Sequence, residues 1–178
     1  MILRRLHIAL LALALSILTA CAGRAAGGGV SLAPECECDV VVGAADTAAY
    51  MPLLSERRVA VLANHTAMYS TDEHVVDMLH REGITVVGIF APEHGFRGSV
   101  EAGAKVENGV DSKTGIPILS LYNGNTQRPS DEVMRSFDVL VVDMQDVGLR
   151  FYTYYITMLR MIDACADFGC EVIVLDRP

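Results

Sequence analysis

From Arg58 onward the chain alternates short, nearly unbroken apolar runs with segments of helical period. The runs lie at residues 58–63, 84–90, 116–121, 138–142 and 172–175. Strands that are apolar throughout, rather than at every second position, are covered on both faces, as in a parallel sheet between helical layers. The first intervening helix opens at Ser70, where Ser70 and Glu73 have capping-box spacing and Asp72 adds charge to the first turn. Val75, Val76 and Leu79 give it an apolar face, and Gly83 ends it. Ser130 caps a short helix. A longer one from about Phe151 to Asp167 carries a stripe of Phe151, Tyr155, Met158, Leu159, Ile162 and Ala166 before Gly169 stops it. The pattern predicts an α/β fold with a mostly parallel five-stranded sheet flanked by helices.

Two stretches break the alternation. Ser99–Gly115 has no period and reads as a long surface loop with a small hairpin, the kind of insertion that usually carries function. Residues 31–54 form an entry segment in which Val40-Val41-Val42 suggests a short strand. Right-handed crossovers put the C-terminal ends of all parallel strands on one side of the sheet. Asn64 and His65, Glu93, His94 and Arg97, Tyr122, Asp143, Gln145 and Asp146, and Asp176 and Arg177 then converge there.

The first twenty positions change the reading of composition. Arg4 and Arg5 precede an apolar run from Leu6 to Leu18, too short for a bilayer span and laid out as a signal peptide. Leu18-Thr19-Ala20-Cys21 resembles the lipobox of bacterial lipoproteins. That resemblance implies cleavage before Cys21, lipidation of Cys21, and an extracytoplasmic protein anchored to a bacterial membrane, at the periplasmic face or cell surface. Residues 22–30 are rich in Ala and Gly and read as a tether. The expected organisation is therefore a signal peptide at 1–20, lipidated cysteine, tether and entry segment at 21–54, and one catalytic domain at 55–178. Removing residues 1–20 leaves 12 of the 14 basic residues against 22 acidic ones, a net charge of −10. A chain so acidic, with no basic stripe, is not built to bind nucleic acid. Cys36, Cys38, Cys165 and Cys170 remain, enough for two disulfides of undetermined pairing.

The strand-end residues carry the candidate chemistry. Glu93 follows a buried strand and suits a general acid or base; a local cap or ion pair is the alternative. Asp143 and Asp146 are candidate second carboxylates of the kind glycoside hydrolysis uses, although Asp143 could equally bind backbone amides. Arg97, Arg150 and Arg177 can grip a carboxylate-bearing ligand bidentately, or form surface ion pairs. Tyr122 and Tyr152 can stack on a sugar ring or simply pack. The first strand-to-helix turn, Asn64-His65-Thr66-Ala67-Met68, lacks the glycine a pyrophosphate needs, which excludes a dinucleotide site. No cofactor is implied.

Asn64-His65-Thr66, the run Pro92–Gly98 (PEHGFRG), Ser120-Leu121-Tyr122, the run Asp143–Tyr154 (DMQDVGLRFYTY) and Leu175–Pro178 (LDRP) together resemble the exo-β-N-acetylmuramidase family. The resemblance runs from about Arg57 to the end. It implies a Rossmann-like N-terminal domain, a smaller C-terminal domain and an active cleft between them. It also implies release of β-linked N-acetylmuramic acid from non-reducing ends of peptidoglycan fragments. Carried over, Glu93 becomes the leading catalytic residue, and Asp143, read above as a candidate second carboxylate, stands as its partner. Asn64, His65, His94, Arg97, Tyr122, Asp146, Arg150, Tyr152 and Arg177 become substrate-binding candidates. The family continues past Leu-Asp-Arg-Pro into a second domain, so the resemblance implies that this chain lacks one wall of the cleft. Two alternatives stand beside it: a peptidoglycan-binding lipoprotein without turnover, and a metal-dependent hydrolase with His65, Glu93, His94, Asp143 and Asp146 as ligands.

Overall fold

The computed structural model describes residues 40–98, 107–121 and 128–177, all within one compact unit running from Asp39 to Pro178. The expected signal peptide, Cys21, the expected tether, Cys36, Cys38 and Tyr122 lie outside the described residues.

A sheet of six strands organises the unit. They are β1 (Val59–Ala63), β2 (Val86–Ala91), β3 (Gly109–Val110), β4 (Pro117–Ser120), β5 (Val139–Asp143) and β6 (Glu171–Val174). The order is β3-β4-β2-β1-β5-β6, and every pairing is parallel except β3 with β4. The five apolar runs are thus the five parallel strands. The sixth strand is a two-residue antiparallel addition from the long insertion, which makes the small hairpin read there.

β1 and β5 are fully buried along their length, and their alternate residues feed two separate cores. Val59, Val61, Ala63, Val139 and Val141 face one core, which also takes Tyr50 and Leu54 of α1 (Thr47–Leu54) and Val75, Val76, Met78 and Leu79 of α2 (Val75–Arg81). Ala60, Leu62, Leu140 and Val142 face the other. That side is closed by Met134 of α3 (Asp131–Met134) and by Met161, Ala164 and Cys165 of α4 (Tyr154–Phe168). With right-handed crossovers, placing α2 on one face and α4 on the other requires the strand order to run outward in both directions from β1. The chain therefore reverses between β1 and β5. Ligands of open α/β sheets bind outside the strand ends at such a reversal.

Three local readings need correction. Val40 and Val41 are exposed and form no strand; helix α1 follows a single 3₁₀ turn at Gly43–Ala45. Gly43 is a packing requirement, since a Cβ there would lie 2.6 Å from the Asp176 nitrogen, while Gly43 N–H donates to the Asp176 carbonyl at 2.8 Å.

Helix α2 starts at Val75, not in the Ser70–Glu73 segment. The Glu73 carbonyl accepts from Tyr69 and Ser70 N–H, closing a turn, and His74 is the cap. On α4 the buried face is Tyr154, Thr157, Met161, Ala164 and Cys165, about 100° round from the expected stripe. Small Ala164 and Cys165 let the helix sit close to the sheet, and Phe151, Tyr155 and Leu159 are left exposed. The caps at Ser130 and Gly169 are as read: Ser130 Oγ accepts from Val133 N–H, and Gly169 is left-handed at φ 70°.

Candidate active site

At the reversal, β1 ends beside β5, with Ala63 opposite Asp143. Beyond Ala63, Asn64 is fully buried, and its Oδ1 accepts from Thr66 N–H at 3.0 Å and from Thr66 Oγ1–H at 2.6 Å. This Asx turn fills the place where a dinucleotide fold carries its glycine-rich turn. Thr66 Oγ1 in turn accepts from Gln145 N–H at 2.9 Å, tying the exit of β1 to that of β5.

His74 supports the turn from behind. Its Nδ1 accepts from Val76 N–H at 3.2 Å, so the proton sits on Nε2, which donates to the Asn64 carbonyl at 2.8 Å. Burial holds this imidazole below its ordinary value and the nearby Arg97 acts the same way, against the Asn64 carbonyl, Asp77 and Asp143. Among the described residues no partner reaches Asn64 Nδ2 in regular hydrogen-bond geometry. Burial raises the Tyr154 hydroxyl, and side-chain hydrogen bonding toward Asn64 works against that rise.

Asp143 is fully buried and receives the Arg177 guanidinium through both oxygens, Nη2 to Oδ2 at 2.9 Å and Nε to Oδ1. Arg177 Nη2 also donates to the Met68 carbonyl at 2.7 Å, so the exit of β6 clamps the turn after β1.

Glu93 stands at the rim, half-buried. β2 ends at Ala91, Gly95 N–H donates to the Pro92 carbonyl at 3.0 Å, and His94 takes φ 69°, the pattern of a type II turn. A left-handed histidine costs about 1–2 kcal/mol, and such strain collects at functional positions. The turn aims Glu93 at α4, where Thr153 Oγ1–H donates to Glu93 Oε2 at 2.8 Å. His94 packs edge-on to Tyr154, and Tyr154 edge-on to Tyr152, at centroid distances of 6.5 and 6.1 Å. His65 is exposed and lies against Gly98, where an added Cβ would come within 2.9 Å of it.

The remaining candidates divide sharply. All three guanidinium nitrogens of Arg97 are engaged by Asp77 and Asp111, and Lys113 adds a 2.7 Å bond to Asp77. Burial alone would raise the Asp111 carboxyl; Arg97 and Thr114 outweigh it and bring it down to about 2. Asp146 accepts from Gly148 N–H at 2.7 Å and Tyr155 N–H at 3.2 Å, shaping the lead-in to α4. Arg150 differs: it lines an open cleft of about 430 Å³ with Asp146, Gly148, Leu149 and Tyr155, and has no carboxylate partner among the described residues. Among the described residues no three His, Cys, Asp or Glu side chains form a group able to hold a metal ion.

Sequence reasoning passed over Thr153, Thr66, His74, Asp77 and Asp111. Asp77 had a visible signal, a charge inside the buried run Val75–Leu79 that had to find a cation.

The chain matches the family model described as exo-beta-N-acetylmuramidase NamZ, N-terminal, over residues 59–178. It is 39% identical over 130 residues to the peptidoglycan beta-N-acetylmuramidase NamZ of Bacillus subtilis (strain 168), covering 72% of this chain and 31% of that protein. It also resembles the crystal structure of a DUF1343-family protein from Bacteroides fragilis NCTC 9343, with a TM-score of 0.67 and 49% identity over 79% of this chain and 35% of the other. A second DUF1343-family structure from that strain gives a TM-score of 0.64 and 39% identity, over 72% of this chain and 32% of the other. The chain spans about a third of the length of these relatives. Matched over most of its length, with a mixed α/β sheet like theirs, the chain belongs to the NamZ N-terminal family of peptidoglycan glycosidases.

Proposed function

We propose that this domain supplies the acid/base side of a glycosidase that releases β-linked N-acetylmuramic acid from non-reducing ends of peptidoglycan fragments, tethered outside the cytoplasm through lipidated Cys21. The observation that carries it is Glu93, held by Thr153 on a strained turn at the rim of the strand-reversal crevice, beside the His94–Tyr154–Tyr152 ring series. A carboxyl group so placed can protonate a glycosidic oxygen while the rings flank the sugar. Asp143 acts by fixing Arg177 and the turn after β1, because both its oxygens are occupied. Arg150 is the guanidinium left for the lactyl carboxylate that distinguishes muramic acid from glucosamine.

The test is hydrolysis of a chromogenic β-N-acetylmuramide set against the matching β-N-acetylglucosaminide, using the complete gene product. Release from the muramide with little from the glucosaminide supports the reading; equal release, or none, counts against it. The commitment of Asp143 to Arg177 favours a second reading, a module that binds these fragments without turnover. Saturable binding of a muramic-acid-terminated fragment with no release would establish that one.

A further inference from the structure

We propose that Cys165 and Cys170 form a disulfide that locks the C-terminal turn of α4 to the start of β6. The geometry is that of a Schellman turn. Cys170 N–H donates to the Cys165 carbonyl at 3.0 Å, Gly169 N–H donates to the Ala166 carbonyl at 3.4 Å, and Gly169 is left-handed. In this motif the residue four before the left-handed glycine and the residue just after it bring their side chains together. Here both are cysteines. Each thiol influences the ionisation of the other, Cys165 fully buried and Cys170 partly, and both are reduced in this structure. Among the described residues the Cys170 thiol otherwise reaches the Met134 and Phe137 carbonyls, each at a long 3.6 Å.

The oxidant is a small-molecule or protein disulfide. The Cys170 thiolate attacks one of its sulfurs, expelling a thiolate and leaving a mixed disulfide. The Cys165 thiolate then attacks Cys170 Sγ and expels the second thiolate. Two protein thiols become one disulfide, the oxidant is reduced to two thiols, and these take the protons. Burial pushes the Cys165 thiol up to about 12 and raises Cys170 too, so little attacking thiolate exists in the folded chain. The bond therefore forms as the chain folds, before the turn is buried. The staple joins the far ends of two elements that reach the active site, α4 through Thr153 and β6 through Arg177.

The full chain is refolded in a glutathione redox buffer, alkylated under denaturing conditions and digested with trypsin. The expected peptide, Met161–Pro178, is lighter by two hydrogens and unalkylated at both cysteines. Alkylation of both, or linkage of either to Cys36 or Cys38, overturns the proposal. In a Cys36→Ser/Cys38→Ser variant, reductant should lower the melting temperature by about 5 °C, an effect absent when Cys165→Ala and Cys170→Ala are added. No change with reductant in that variant equally overturns it.

Discussion

Arg97 and Arg177 follow strands of the same sheet, and each ends on a buried aspartate, yet the two pairs do different work. The Arg97 cluster spreads four charges over α2, the turn after β2 and the Asp111–Ile116 turn. Its arginine side chain is 34% exposed, so water shares the load. The Arg177 side chain is 9% exposed, its aspartate is fully buried, and among the described residues the pair's further hydrogen bond goes to the Met68 carbonyl. The first cluster fastens the outer edge of the fold. The second sits at the strand reversal and clamps the turn after β1. An arginine's distance from the reversal is thus a poor guide to its availability for ligand: of Arg97, Arg150 and Arg177, it is Arg150, lining an open cleft, that has no carboxylate partner among the described residues.

Replacing Arg177 should do the most damage. Arg177→Met leaves Asp143 buried without its counter-charge, and urea denaturation should register a loss of about 3–5 kcal/mol. The Asp143→Asn/Arg177→Met double variant should recover part of it; a double variant no better than the single would break the comparison. Arg97→Met should cost less, about 1–3 kcal/mol, because Lys113 stays on Asp77 and solvent reaches the site.

Acid titration sharpens the same contrast. The Asp111 carboxyl lies at about 2 in the fold against an ordinary 3.8, so its contribution is full above about 4 and is lost as pH falls toward 2. Arg97→Met should remove that part of the pH dependence. His74, facing Asn64, Arg97, Asp77 and Asp143, works in a higher range. Its folded value lies below its unfolded one of about 6.5, so the unfolded chain takes up the proton first and stability declines as pH drops through that region. His74→Asn, which keeps a capping oxygen, should flatten the decline; an unchanged slope means that another group causes it. Arg150→Ala should change stability least, within about 0.5 kcal/mol, while weakening binding of a muramic-acid-terminated fragment.

The sheet was legible because its strands are covered on both faces: Val59–Ala63 and Val139–Asp143 had no reason to alternate, and their unbroken apolar runs say so. The α2 boundary was not, because Ser70 and Glu73 satisfy a local capping pattern while the backbone there closes a turn and hands the cap to His74. The face of α4 was missed because Tyr154 and Tyr155 are equally good apolar anchors one residue apart, and only tertiary fit chooses Tyr154. Convergence of the strand ends could be read from topology alone. Which arginine would be free could not, since the carboxylates that claim Arg97 lie 20 and 14 residues away and the one that claims Arg177 lies 34 away.

In the proposed reaction Glu93 moves the proton in glycoside cleavage. The most direct measurement is the rate of muramide release by Glu93→Gln in the complete gene product. A loss of about 10²–10⁴-fold with binding of the fragment retained is expected. A rate within a few-fold of the unmodified protein would contradict it.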